Sequence, residues 1–182
     1  MSQIKIAVVV GSLRKESFNK KLGLALAKMA PPELVFEQVR IDDLPHYNQD
    51  DEGNPSAAVI RLKAQIMSSQ GLLFLTPEYN RSIPGVLKNA IDHASRPYGK
   101  SVFNGKPGAV IGMTVSPIGT AAAQQHLRNI LAYLNIPTLG QPEVFLTNRE
   151  GFFKEDGSLD ESAEKFMQGW MAQYVAWIKK HI

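Results

Sequence analysis

Two polar stretches hold the residue types best suited to chemistry, and the first is Gly11-Ser12-Leu13-Arg14-Lys15-Glu16-Ser17-Phe18-Asn19. It follows an apolar run, Ile4 to Val10, broken only by Lys5, and precedes a helical pattern from Lys20 to Met29. Ser12, Ser17 and Asn19 offer side-chain donors and Arg14 a planar fork of N–H groups. A helix start adds unpaired backbone amides. This donor set suits a phosphate monoester. A plain polar turn, with Gly11 for tightness and Asn19 as a helix N-cap, uses the same residues and is the competing reading. Neither G-x-G-x-x-G nor G-x-x-x-x-G-K-[ST] occurs, which sets aside dinucleotide and triphosphate cradles.

The second stretch, Thr76-Pro77-Glu78-Tyr79-Asn80-Arg81-Ser82-Ile83-Pro84-Gly85, ends a short apolar run, Gly71 to Leu75. A third, Ser116-Pro117-Ile118-Gly119-Thr120, follows another, Pro107 to Val115. Pro77 fixes local backbone geometry. Glu78 is expected to face solvent, its backbone mattering more than its charge. Tyr79 suits a stacking platform or a subunit contact. No G-x-S-x-G elbow appears, and His46, His93, His126 and His181 are isolated, without an H-x-x-x-H pair. Asp42, Asp43, Asp50, Asp51 and Glu52 do not have the spacing of a calcium loop and read as solvated charge. The reconstructed site thus has no catalytic side chain and no metal ligands. A phosphate cradle without acid, base, nucleophile or metal points to a bound cofactor that carries the chemistry.

The elements that must position these loops alternate. Strands are expected at Ile4–Val10, Glu33–Ile41, Gly71–Leu75, Pro107–Val115 and Val144–Leu146. The second has the look of an edge strand. Helices are expected over Lys20–Met29, from Asn54-Pro55 to about Ser69, and over Val86–Ala94, Ala121–Leu134 and a final segment after Ser158. Asn54 reads as the cap of the second helix, with Ile60, Ala64 and Met67 facing inward. Ser158 and Glu161 read as a capping box, ahead of the stripe Leu159, Ala163, Phe166, Trp170, Tyr174, Trp177 and Ile178. Five β-α units imply an α/β fold with a parallel sheet in the doubly wound order 2-1-3-4-5. Its switch point brings the first two polar loops together. A phosphoacceptor aspartate is absent from the end of the third strand, where Thr76-Pro77 stands, so a receiver-type site is rejected.

With 182 residues, 44% hydrophobic and 20% charged, the chain suits one domain spanning 1–182. The net charge of +3 is small and scattered, arguing against nucleic acid. There is no cysteine, and no apolar run approaches the ~18 residues of a membrane span. A cytoplasmic protein is the expectation.

Gly11-Ser12-Leu13-Arg14-x-x-Ser17-x-Asn19 resembles the phosphate loop of the NADPH-dependent FMN reductase family. Pro77-Glu78-Tyr79-Asn80-x-Ser82-x-Pro84-Gly85-x-Leu87-Lys88-Asn89-Ala90-Ile91-Asp92 resembles its second signature, and Ser95-Arg96-Pro97 and Phe103-x-Gly105-Lys106-Pro107 continue it. Within that family the chain is most similar to bacterial quinone and chromate reductases. The resemblance implies a flavodoxin-like three-layer sandwich, noncovalent FMN, and NADPH or NADH as reductant. It implies small acceptors such as quinones or metal oxyanions, and a homodimer or homotetramer. Carried over, Ser12, Leu13, Arg14, Ser17 and Asn19 would hold the FMN phosphate. Pro77, Glu78, Tyr79 and Asn80 would line the isoalloxazine, and Ser116 would touch the flavin from the third loop. The alternative is a flavodoxin-type electron carrier serving a protein partner. Such carriers are strongly acidic, and this chain is not.

Overall fold

The computed structural model describes residues 3–182. Five parallel strands run β1 (Ile4–Val10), β2 (Leu34–Val39), β3 (Gly71–Leu75), β4 (Gly108–Thr114) and β5 (Phe145–Thr147). Their order in the sheet is β2-β1-β3-β4-β5, the arrangement expected from alternating β and α patterns. Pairing places Ile6 beside Gly71 and Val10 beside Leu75, so β1 and β3 end together and deliver their following loops to one edge.

Side-chain alternation divides the core in two. Ile6, Val8 and Val10 of β1, with Leu73 and Leu75 of β3, face α1 (Phe18–Met29) and α5 (Glu161–His181). Ala7 and Val9, with Leu72 and Phe74, face α2 (Ala57–Met67), α3 (Gly85–Ser95) and α4 (Ala121–Tyr133). The central strands are apolar on both faces because both are covered, as parallel sheets require. Under α5, Trp170 stacks on Tyr174 at 5.0 Å, and the Tyr174 hydroxyl donates to the Leu72 carbonyl at 2.9 Å. Burial alone raises the Tyr174 phenol well above its ordinary pKa.

Three local expectations are corrected. The cap of α2 is Ser56, whose Oγ accepts from the Val59 amide, and not Asn54. Its inner face is Val59, Leu62 and Ile66, while Ile60, Ala64 and Met67 are exposed, because the larger branched side chains Leu62 and Ile66 are the ones packed under the sheet. At α5 the proposed Ser158–Glu161 box does not form. Asp160 caps the helix by accepting from the Ser162 and Ala163 amides, a carboxylate being the stronger acceptor beside a helix N-terminus. Phe166 is correspondingly exposed, and Met167 and Met171 take inward positions. The other boundaries move by one or two residues: α1 begins at Phe18, and β5 covers Phe145–Thr147.

Candidate functional site

The first loop leaves β1 at the carboxyl edge and enters α1 through Ser17, whose Oγ accepts from the Lys20 amide at 3.3 Å. Ser12 and Ser17 are 4% and 2% exposed, so their hydroxyls are held in place by the surrounding chain. The first turn of α1 carries no acidic residue, leaving its amides and dipole open to an anion. Arg14 is exposed, with its guanidinium 5.7 Å from the Phe18 ring centroid. Asn19 has a different task from the one its position suggested. Its Nδ2 donates to the Met113 carbonyl at 2.9 Å and its Oδ1 accepts from the Met113 amide at 3.0 Å. This buried strap ties the start of α1 to the end of β4, so Asn19 shapes the cleft by bracing its wall.

The second loop turns through Tyr79-Asn80-Arg81-Ser82. Tyr79 and Ser82 exchange both backbone hydrogen bonds at 3.0 Å. Asn80 and Arg81 adopt φ of 52° and 63°, so the loop tip is a tight reversal with two left-handed residues. Glu78 departs from its solvent-facing expectation. Its side chain is only 8% exposed, and its Oε2 accepts from the Ala123 amide in α4 at 3.0 Å. The neighbouring Ser82 hydroxyl lies 3.0 Å from His126 Nδ1, a second link to α4. His93 in α3 is buried, with Nε2 2.9 Å from the Pro45 carbonyl oxygen.

The third loop comes close to the second because β4 carries Gly112. A Cβ there would lie 2.2 Å from the Thr76 carbonyl oxygen and 2.3 Å from Thr120 Oγ1. Only hydrogen fits at that point. Ser116 is exposed and turned toward β5, its carbonyl accepting from the Gly119 amide and the Thr147 hydroxyl.

These loops enclose a cleft lined by Ser12, Arg14, Ser17, Phe18, Asn19, Pro77, Glu78, Tyr79, Met113, Thr114 and Val115. Leu13, Asn80 and Ser116 lie outside that lining; Leu13 instead borders a groove beside Arg40 and Asp42. The sequence reading omitted Phe18, Met113, Thr114 and Val115. The last three could have been found from position alone, since they close the expected strand that feeds the third loop. The cleft has a volume of about 70 Å³, room for a phosphate-sized group. Tyr79 and Val115, 50% and 69% exposed, form an open apolar rim.

A larger recess of about 440 Å³ lies away from this edge, between the Pro45–Ser56 segment and α3. Its polar groups satisfy one another. Glu52 Oε1 accepts from the Tyr47 hydroxyl at 2.6 Å and from Arg96 Nε at 2.7 Å, and Lys63 donates to the Arg96 carbonyl. The Tyr47 hydrogen bond, then that of Arg96, holds the Glu52 carboxyl below its ordinary pKa. These contacts fasten the long loop after β2. Among the described residues, no group of three or more His, Cys, Asp or Glu side chains could hold a metal ion. No helix is long and apolar enough to cross a membrane.

Comparison with known proteins was made against families, sequences and structures. The family model of the NADPH-dependent FMN reductases matches residues 4–151. A 2-hydroxy-1,4-benzoquinone reductase from Burkholderia sp. is 50% identical over 177 residues, covering 97% of each chain. A quinone reductase from Pseudomonas putida is 44% identical over 181 residues, covering 98% of this chain and 97% of that one. Among solved structures, a flavoenzyme NAD(P)H:(acceptor) oxidoreductase from Paracoccus denitrificans superposes with a TM-score of 0.94 at 46% identity, covering 98% of both chains. A flavodoxin from Pseudomonas aeruginosa, at 19% identity and a TM-score of 0.62, shares the fold. With the family match extending from β1 through β5 and both signature loops meeting at one cleft, the chain belongs to the NADPH-dependent FMN reductase family.

Proposed function

We propose that the cleft between the first and second loops holds FMN, and that this enzyme passes a hydride from NAD(P)H through the flavin to quinones. The observation that carries the reading is the convergence of Ser12, Arg14 and Ser17 with Pro77–Tyr79 at the switch point of the sheet. Two buried hydroxyls, an exposed guanidinium and a helix N-terminus without acidic side chains in its first turn support an anion site suited to a phosphate. The rim of Tyr79 and Val115 supplies apolar surface for a flat ring system. When bound, FMN supplies the two-electron chemistry. The chain's own residues bind and orient: the first loop takes the phosphate, and Pro77, Glu78 and Tyr79 line the ring. Tyr79 and Val115 leave the rim open, so that nicotinamide and acceptor can reach one face in turn. No side chain lining the cleft is placed as a nucleophile.

Quinone acceptors are supported by the relatives' names at 50% and 44% identity. Metal oxyanions such as chromate belong in the same acceptor screen. Assembly as a homodimer or homotetramer is supported by Tyr98 and Tyr133, 82% and 80% exposed, which flank a shallow recess with Ser101 and Asn104. Such exposed aromatics are typical of protein contacts. The test of the enzyme reading is anaerobic titration of the FMN-loaded protein with NADPH and with NADH. Bleaching of the flavin absorbance, reversed by benzoquinone at one equivalent per flavin, is the expected outcome. Absence of bleaching with both nucleotides would leave an electron carrier.

A further inference from the structure

Helix α4 begins beside the flavin cleft without a cap of its own. Thr120 occupies the capping position, but it makes no capping hydrogen bond. Its Oγ1 instead accepts from Gln124 Nε2 at 2.9 Å. An uncapped helix start leaves amide donors exposed to desolvation as the surrounding chain closes over them. The missing acceptor comes from 45 residues upstream: Glu78 Oε2 accepts from the Ala123 amide at 3.0 Å. The Glu78 side chain is 8% exposed, and its second oxygen lies 3.6 Å from Arg81 Nη1. A carboxylate at this point also meets the positive end of the α4 dipole.

We propose that Glu78 is a positioning residue: its buried carboxylate caps α4 from the second loop and thereby fixes the Pro77–Asn80 backbone against the third loop. The bond joins the second loop, which lines the cleft, to α4, and Gly112 lets the Thr76 carbonyl at the start of that loop pass close to Thr120 at the head of the helix. The left-handed pair Asn80 and Arg81 then follows from a fixed anchor. The adjacent link from Ser82 to His126 keeps the far end of the turn on the same helix. In this arrangement the Glu78 carboxylate is engaged by α4 while the residue still borders the cleft. The consequence for the flavin rests on the FMN reading above; the cap itself does not.

The role separates cleanly from that of the phosphate loop. Loss of Glu78 disturbs the part of the site that faces the ring, so affinity for FMN and for riboflavin should fall by the same factor. Loss of Arg14 should affect FMN alone. The experiment compares Glu78→Ala and Glu78→Gln with the wild type. Backbone amide hydrogen exchange is measured on the flavin-free protein, and FMN and riboflavin titrations follow by fluorescence quenching. Glu78→Gln keeps a carbonyl acceptor and serves if the alanine variant folds poorly. The expected result is tenfold or faster exchange at Ala123 in Glu78→Ala. It comes with a matched loss of about tenfold in both flavin affinities, partly restored in Glu78→Gln. Unchanged exchange at Ala123 would overturn the cap. Faster exchange with unchanged flavin affinities would overturn the positioning role while leaving the cap. Absence of FMN binding by the wild-type protein would instead remove the flavin reading, and the exchange result would still decide the cap.

Discussion

Arg14 stands on an exposed loop with its guanidinium over the Phe18 ring, so its removal opens no hole in the core. Arg14→Ala should therefore keep the fold and weaken FMN binding through the loss of one charge-assisted hydrogen bond. That is worth roughly 1.5–3 kcal/mol, about ten- to a hundredfold in Kd. Parallel titrations with FMN and riboflavin check it: the FMN affinity falls and the riboflavin affinity does not. An equal fall in both would take Arg14 away from the phosphate. At this scale the sequence was legible where spacing alone brings side chains together, as for Ser12, Arg14 and Ser17 in the lining of one cleft. It was not legible where a side chain acts across the sheet. Nothing local to Asn19 announces that its amide is bonded to Met113, 94 residues away. Nothing local to Glu78 announces the uncapped helix it serves. Both are long-range acts of ordinary polar groups, and a linear pattern carries no record of them.

The long segment between β2 and α2 is an element held by side chains more than by backbone pairing. Asn89 donates to the Pro45 carbonyl at 2.8 Å and accepts from the Tyr47 amide at 2.8 Å, while Glu52 gathers Tyr47 and Arg96. The Glu52 pKa is lowered from its ordinary value of 4.5, first by Tyr47 and then by Arg96. A carboxyl whose folded pKa is depressed stabilises the fold above its unfolded pKa, and that contribution is lost as the pH falls through the folded value. Glu52→Gln should thus be less stable than the wild type at pH 7, with the gap narrowing below about pH 4.5. Urea midpoints for both proteins at pH 7, 5, 4 and 3 measure it; a constant gap would show that Glu52 acts through shape and not charge. The acidic residues of this segment were readable as loop charge. Which of them found partners depended on α2 and α3, whose register against the loop no spacing rule supplies. The caps of α2 and α5 moved because Ser56 and Asp160 each lay close to a plausible competitor, and spacing does not say which of two nearby acceptors meets the helix amides.

For the molecule as a whole, the alternation of apolar runs and amphipathic helices was sufficient to give the strand order, because a right-handed crossover leaves few ways to cover both faces of a parallel sheet. The proposed assembly rests on exposed aromatics such as Tyr98 and Tyr133. Light scattering of the wild-type protein at micromolar concentration should return a multiple of the 20.1 kDa chain mass. A mass of one chain would overturn the assembly and confine the acceptor site to a single subunit. One residue far from the cleft has a further bearing. The Glu33 carbonyl accepts from the Ile4 amide at 2.7 Å, and its carboxylate pairs with Lys179 at 2.9 Å. The start of β1 and the last turn of α5 thus meet at the edge of the sheet opposite the cleft. A short linker could splice them, and new ends could be cut elsewhere, for instance in the exposed Lys154–Asp156 turn, without disturbing the cleft. The same geometry lets a second protein be grafted at that edge while leaving the redox face clear, which makes this scaffold suited to permuted or fused reductases.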